Sequence, residues 1–170
     1  MGLFKKEQIS LMLDKLDYIS GEKIKGTVKL HLKKPLTGRK LEVSLIGMRV
    51  EKQSSLAVAP MIASGGRHHH SNTHYQVVYK FDIPLDGEKE YHNQEYPFEI
   101  PIPQDLLSGN PTIEGKMGQA ATAVRMLAGV SSRIDWSVKA QLDVPKKLDI
   151  KRAQKIVISE NKAQQPGGVV

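Results

Sequence analysis

Apolar and polar residues alternate with a period of two along most of the chain. In "ISLMLDKL" Ile9, Leu11 and Leu13 fall on one face, and in "KIKGTVKLHLKK" Ile24, Val28, Leu30 and Leu32 oppose Lys25, Thr27, Lys29 and His31. "KLEVSLIG" repeats the pattern with Leu41, Val43 and Leu45, and "YQVVYKFDI" aligns Tyr75, Val77, Tyr79, Phe81 and Ile83. "YPFEIPIP" aligns Tyr96, Phe98, Ile100 and Ile102, and "RIDWSVKAQLDV" aligns Ile134, Trp136, Val138, Ala140 and Leu142. "QKIVIS" closes the series with Ile156 and Ile158. Successive side chains of a strand point to opposite sides, so each run predicts a strand with one apolar and one polar face. Such ribbons hide their apolar faces against one another. The expected fold is all-β: an immunoglobulin-like antiparallel β-sandwich of about seven or eight strands.

Turn chemistry separates the runs, at "SGEK" (20–23), "KPLTGR" (34–39), "LDGEK" (85–89) and "LSGNP" (107–111). Pro97, Pro101 and Pro103 occupy outward positions of the fifth run. Proline donates no ladder hydrogen bond, so this run is expected at a sheet edge or leaving the sheet. One segment changes period. "GKMGQAATAVRMLAGV" carries Met117, Ala120, Ala121, Val124, Leu127 and Ala128 at helical spacing, which predicts one short helix capping an open end of the sandwich. Residues 1–160 are expected to form a single domain, followed by a flexible tail over 161–170.

Hydrophobic residues make up 39% of the chain, enough for a core, and the absence of cysteine excludes disulfides, a thiolate nucleophile and a Cys-ligated zinc. No apolar run reaches the roughly 20 residues that span a bilayer. "MGLFKKEQ" does not read as a signal peptide, and Lys6 stands where a myristoylation motif wants Ser or Thr. A soluble cytoplasmic protein is the resulting expectation. The net charge of +7 favours acidic partners. Lys23, Lys25, Lys29, Lys33, Lys34, Arg39 and Lys40 gather around the second run as a basic stripe that could meet an acidic protein or an anionic membrane surface. Nucleic acid is disfavoured, because base stacking needs exposed aromatics and these are only 5% of the chain, mostly at inward positions. Nucleophile elbows, zinc-protease helices and phosphate-binding glycine loops are absent from the sequence, so no enzyme, catalytic residue or cofactor is expected.

The order of the motifs "YISGEKIKGTVKL", "LEVSLIG", "YKFDIPLDGEKEYHNQEYPFEIPIPQDL", "WSVKAQLDVP" and "KKLDIKRAQKIVI" resembles the N-terminal half of the arrestin-like fold. Within that fold the chain resembles the prokaryotic sporulation-control proteins of bacteria and archaea. The resemblance runs over roughly residues 4 to 160. It implies a scaffold or adaptor without enzymatic activity, of the kind that in arrestins binds phosphorylated tails and in related retromer subunits sorts membrane cargo. It places Lys5 and Lys6 where arrestins carry a phosphate-sensing lysine pair. The match has departures. Lys25 stands in place of an arrestin acid, the expected last-strand arginine falls near Ser159, and the helical segment follows "YPFEIPIP" instead of preceding it. The resemblance therefore implies no arrestin-type buried charge lock.

Four of the six histidines, His68, His69, His70 and His74, lie within "GGRHHHSNTHYQVVYKF". Imidazole suits zinc, nickel or copper. Yet neighbours in an extended chain point apart, so His68, His70 and His74 are the only set that could share a metal. No acid lies between Glu51 and Asp82 to orient such ligands. A solvated loop is preferred over a loop that contacts a partner, and both over a metal site. The expected partner surface thus comprises Lys5, Lys6, Lys25, Lys29 and His31, with the histidine loop beside it. The partner is expected to be a protein, with an anionic membrane surface or, less favoured, nucleic acid as the alternative.

Overall fold

The computed structural model describes residues 8–54, 71–107 and 130–160. Ten strands follow one another: β1 (Ile9–Leu13), β2 (Asp17–Ile19), β3 (Lys23–Leu30), β4 (Leu36–Gly38), β5 (Lys40–Ser54), β6 (Ser71–Asp86), β7 (Lys89–Tyr91), β8 (Glu95–Pro101), β9 (Val130–Asp143) and β10 (Ile150–Ser159). They build a three-stranded sheet in the order β1-β3-β8, a five-stranded sheet in the order β2-β10-β9-β5-β6, and a small β4-β7 pair. The two larger sheets stack their apolar faces as a β-sandwich. Seven strands coincide with the alternating runs. The additional three, β2, β4 and β7, are three residues long each. So short a strand holds too few alternations to show a period, and β4 lies inside a segment whose proline and glycine read as a turn.

The core follows the alternation. Ile9, Ile24, Val28, Leu30, Phe98 and Ile100 come from the three-stranded sheet. Val43, Leu45, Trp136, Val138, Ala140, Leu142, Ile156 and Ile158 meet them from the other. All are buried, and no buried side-chain polar atom among the described residues lacks a hydrogen-bond partner. Fully burying a Leu- or Ile-sized side chain contributes about 1.5–3 kcal/mol. A core of this size is thus what offsets the chain entropy of ordering.

Two details differ from the pattern. The sandwich is not wholly antiparallel, because β2 pairs with β10 in parallel, with Tyr18 beside Ile158. Having left β1 in one sheet, the chain crosses to the edge of the other. There the Ser20 amide donates to the Ser159 carbonyl at 2.9 Å and the Val157 amide to Leu16 at 2.8 Å. It returns through Gly21, whose φ of +92° glycine alone adopts without strain, to start β3. The second difference is in β6. Gly47 opposes Tyr79 while Met48 opposes Val77, so Val78 is an extra residue in β6. One inserted residue exchanges the faces on either side of it. Tyr79 and Ile83 pack on the core, but Tyr75 and Val77 stand on the opposite, outward face, 68% and 54% exposed. The single aligned face expected for residues 75–83, and the inward placing of Tyr75, are corrected accordingly.

β8 lies at the edge of its sheet, paired only with β3, as its prolines require. The helix expected over 117–128 and the tail over 161–170 lie outside the described residues.

Candidate functional site

The β3 stripe owes its outward lysines to the same alternation that buries Ile24 and Val28. Its neighbour β8 places glutamates beside them. Lys25 opposes Glu99 and Lys29 opposes Glu95 in register. Lys23 Nζ lies 2.6 Å and Lys25 Nζ 3.7 Å from the Glu99 carboxylate, and Lys29 Nζ 2.7 Å from that of Glu95. The hydrogen bond from Lys23 is the main reason the Glu99 carboxyl is held below its usual range. Of the stripe that sequence alone marks as basic, Lys23, Lys25 and Lys29 thus share two glutamates of their own sheet, Arg39 and Lys40 pair with Asp143 and Glu42, and Lys33 and Lys34 have no acid within ion-pairing distance among the described residues. His31 is exposed and lies 3.2 Å from Ser10 Oγ through Nε2. Beside this sheet an open groove of about 670 Å³ is lined by Met12, Thr27, Pro97, Lys25 and Glu99. Lys5 and Lys6 lie outside the described residues.

His68, His69 and His70 also lie outside the described residues. His74 is exposed on β6, directly opposite Glu51 of β5. Sequence distance hides that acid, since the pairing spans the hairpin. Among the described residues no group of three or more His, Asp or Glu is placed to hold a metal ion.

The outward face of the five-stranded sheet has a different charge balance. Residues directly opposite one another across an antiparallel pair share a face. The registers therefore put Glu42, Ser44, Ile46, Met48, Val50 and Lys52 of β5 on one surface. With them lie Tyr75, Val77, Lys80 and Asp82 of β6 and Arg133, Asp135, Ser137 and Lys139 of β9. The β9–β10 register adds Lys151 and Lys155. At the centre Val50 is 4% exposed, in register between Tyr75 and Arg133, with Met48 half-buried two positions away. Each central acid already has a cation. Lys40 meets Glu42 at 2.6 Å, Lys80 meets Asp82 at 2.8 Å, and Arg133 meets Asp135 at 2.8 Å. These contacts lower the carboxyls of Asp82, against an opposing effect of burial, and of Asp135, through its bond from Arg133. Asp143, at the end of β9, is taken by Arg39 at 2.7 Å. Lys52, Lys139, Lys151 and Lys155 have no acid within ion-pairing distance among the described residues, although Lys155 and Lys52 act at longer range on Asp135, and Asp17 of β2 shares the face beside Val157. The result is an apolar strip flanked by cations that outnumber the acids of the face.

Sequence reading misses this surface for two reasons. The bulge at Val78 turns Tyr75 and Val77 outward, and the lysines come from strands more than 80 positions apart along the chain. The even spacing of Lys139, Lys151 and Lys155 on outward positions is the one signal that was available.

Three comparisons bear on what kind of protein presents these faces. The family profile "Arrestin (or S-antigen), N-terminal domain" matches residues 9–163, nearly the whole chain. The chain belongs to the arrestin N-terminal-domain family. Among solved structures, the arrestin-like chain is similar to Spo0M, a sporulation control protein from Bacillus subtilis, at a TM-score of 0.52 and 16% identity. The match covers 91% of the arrestin-like chain and 49% of the Spo0M chain, so this sequence spans about half the length of that structure. At that identity the likeness speaks for the fold. No curated protein sequence matches the chain. The arrestin-like domain is thus built on an adaptor-type regulatory fold, and its likeness to a sporulation-control protein agrees with the branch its motifs resemble.

Proposed function

We propose that this arrestin-like domain is a non-enzymatic adaptor of the cytoplasm that binds an acidic or phosphorylated protein segment on the outward face of its five-stranded sheet. One observation carries the reading. The acids at the centre of that face are each paired, whereas Lys52, Lys139 and Lys155, which flank the strip Met48, Val50, Tyr75 and Val77, have no acid within ion-pairing distance among the described residues. Apolar contact supplies adhesion, and the surrounding cations select for negative charge and speed encounter. Lys25, Lys29 and His31 of the β3 stripe serve as a secondary contact. Their glutamate pairs are exposed, and exposed pairs contribute only about 0–1 kcal/mol, so a partner's acids can displace them. The histidine segment between β5 and β6 in sequence is assigned to partner contact, not to metal.

Fluorescence anisotropy with a labelled peptide alternating leucine with glutamate or phosphoserine tests this. Lys139→Glu combined with Lys155→Glu is expected to weaken binding at least about tenfold, with Lys25→Glu combined with Lys29→Glu having the smaller effect. Binding should fall as salt rises. Failure of the wild-type chain to prefer the acidic peptide over its neutral counterpart, or an equal response to both double variants, rejects the assignment.

A further inference from the structure

The most exposed large apolar residue among the described ones is not on the sheet face. It is Leu148, 93% exposed, in the turn between β9 and β10. The turn reads Val144-Pro145-Lys146-Lys147-Leu148-Asp149-Ile150-Lys151, so three lysines surround one leucine. We propose that this hairpin tip is a membrane-surface anchor, which seats Leu148 beneath the headgroups of an anionic bilayer while Lys146, Lys147 and Lys151 contact the lipid phosphates and carboxylates.

The tip is a built feature. Val144 on one side is buried and Ile150 on the other packs against the core, so both stems are fixed. Between them the Asp149 carboxylate turns back into the hairpin. It accepts from Gln141 Nε2 at 2.7 Å and from the Val144 amide at 3.3 Å. The Lys147 amide donates to the Val144 carbonyl at 3.3 Å. Lys146 is held at φ +59°, in the left-handed region that a lysine adopts only when its surroundings impose it. Asp149 is thus used inside the hairpin and Asp143 is taken by Arg39, while Leu148 stands outward. Lys146, Lys147 and Lys151 are exposed and have no acid within ion-pairing distance among the described residues.

The shape selects the partner. A protein hot spot sits where an anchor fills a facing pocket over a broad contact. A narrow convex tip with a single apolar side chain suits a fluid surface that closes around it. Each lysine near an anionic leaflet adds attraction, and one buried leucine adds the apolar term. The tip carries no aromatic residue on which a nucleic-acid base could stack. The inference also fits the adaptor reading without depending on it. β9 runs from Arg133, next to the apolar strip, to Asp143 at the tip, a distance of about 33 Å at strand rise. A domain anchored by its tip would hold the far end of its sheet clear of the lipid for a second partner.

The test is co-sedimentation of the full chain with phosphatidylcholine vesicles, with and without phosphatidylserine. The wild type should bind only the phosphatidylserine vesicles and dissociate as salt rises. Leu148→Ser should weaken that binding at least about tenfold. Lys146→Glu combined with Lys147→Glu should abolish it. Leu148→Trp should bind as well as wild type and show an emission blue shift on adding anionic vesicles. All positions are exposed, and unchanged circular dichroism and Trp136 emission certify folding. Leu148→Ser should leave binding of the acidic peptide unaltered, whereas Lys139→Glu with Lys155→Glu should reduce it, so the two assignments fail independently. The anchor is overturned if wild type ignores anionic vesicles or if Leu148→Ser binds them like wild type, leaving Leu148 an idle surface residue. It is also overturned if Leu148→Ser instead loses the acidic peptide, which would make the tip a protein contact.

Discussion

Gly26 sits at the centre of the three-stranded sheet, opposite Leu13 of β1 on one side and Phe98 of β8 on the other. Replacing it by alanine adds one methyl group. A Cβ built there lies 2.5 Å from the Met12 carbonyl oxygen, 2.7 Å from Phe98 Cζ and 2.9 Å from Leu13 Cδ2. The leucine can rotate and the phenyl ring can tilt, but the carbonyl belongs to the β1 backbone. It must retreat by about 1 Å to restore van der Waals contact, and it takes part of the β1–β3 ladder with it. Overpacking of this kind costs about 1–3 kcal/mol. Each ladder hydrogen bond lost adds about 0.5–1.5 kcal/mol, and alanine's smaller unfolded-state entropy returns about 0.5–1 kcal/mol. The expected net destabilisation is about 3 kcal/mol, or a fall in Tm of about 6–12 °C for a chain of this size. Urea unfolding followed by Trp136 fluorescence and far-ultraviolet circular dichroism measures it, because the chain has a single tryptophan and that residue is buried. Gly87→Ala is the internal control, since its Cβ would meet nothing within 4 Å. It should stay within about 0.5 kcal/mol of wild type. A Gly26→Ala protein within about 1 kcal/mol of wild type, at unchanged urea dependence, would refute the claimed closeness of β1 to β3.

Two further perturbations probe other parts of the sandwich. Gly47→Ala would set a Cβ 2.6 Å from Trp136 Cζ3. The obstacle here is a side chain that can shift, so the cost should be lower than at Gly26, about 1–2 kcal/mol, with altered Trp136 emission as the ring moves against Tyr79; an unshifted spectrum would contradict the packing. Tyr18→Phe removes a buried hydroxyl 2.6 Å from Asp14 Oδ1 and 2.8 Å from the Lys15 carbonyl. Both partners are solvent-accessible, so the loss should be about 1 kcal/mol at neutral pH. That hydrogen bond is the main cause holding the Asp14 carboxyl below its usual 3.8. A depressed folded-state pKa contributes stability above 3.8 that disappears as pH falls through the lower folded value. The wild-type advantage over Tyr18→Phe should therefore shrink in acid, and a difference that is constant from neutral to strongly acidic pH would exclude Asp14 as the cause.

What the sequence discloses and what it hides follow from the range of the interactions. Burial repeats every second residue, so Ile24, Val43, Phe98, Trp136 and Ile156 are legible as core from local pattern. Pro97 and Pro101 mark the edge position of β8 because the missing amide is a property of the residue itself. The bulge at Val78 has no local signature: "QVVY" continues the apolar pattern, and only pairing with β5 shows where the register slips. The charge map is hidden for the same reason. Lys25 and Glu99 are 74 positions apart and adjacent in space, so a run of lysines read along β3 overstates its free charge. That Leu148 projects has no local signature in the sequence, and only the inward turn of Asp149 shows it.

These hidden features combine into one consequence for how the domain presents itself. Cross-strand pairing takes up most of the charge of Lys23, Lys25 and Lys29, and among the described residues free positive charge gathers on the other sheet, on β9 and β10. There it is divided between two places. Lys52, Lys139 and Lys155 flank the strip that the Val78 bulge makes apolar, and Lys146, Lys147 and Lys151 surround Leu148 at the hairpin tip. Screening over about 8 Å at physiological ionic strength keeps the ends of a strand about 33 Å apart electrostatically independent. Under the two proposals each end selects its own negatively charged partner, and a single sheet holds the two at a fixed distance. A rigid spacer between two weak, charge-selective contacts is what an adaptor requires, and it needs no buried switch of the kind that Lys25, in place of an acid, would disrupt.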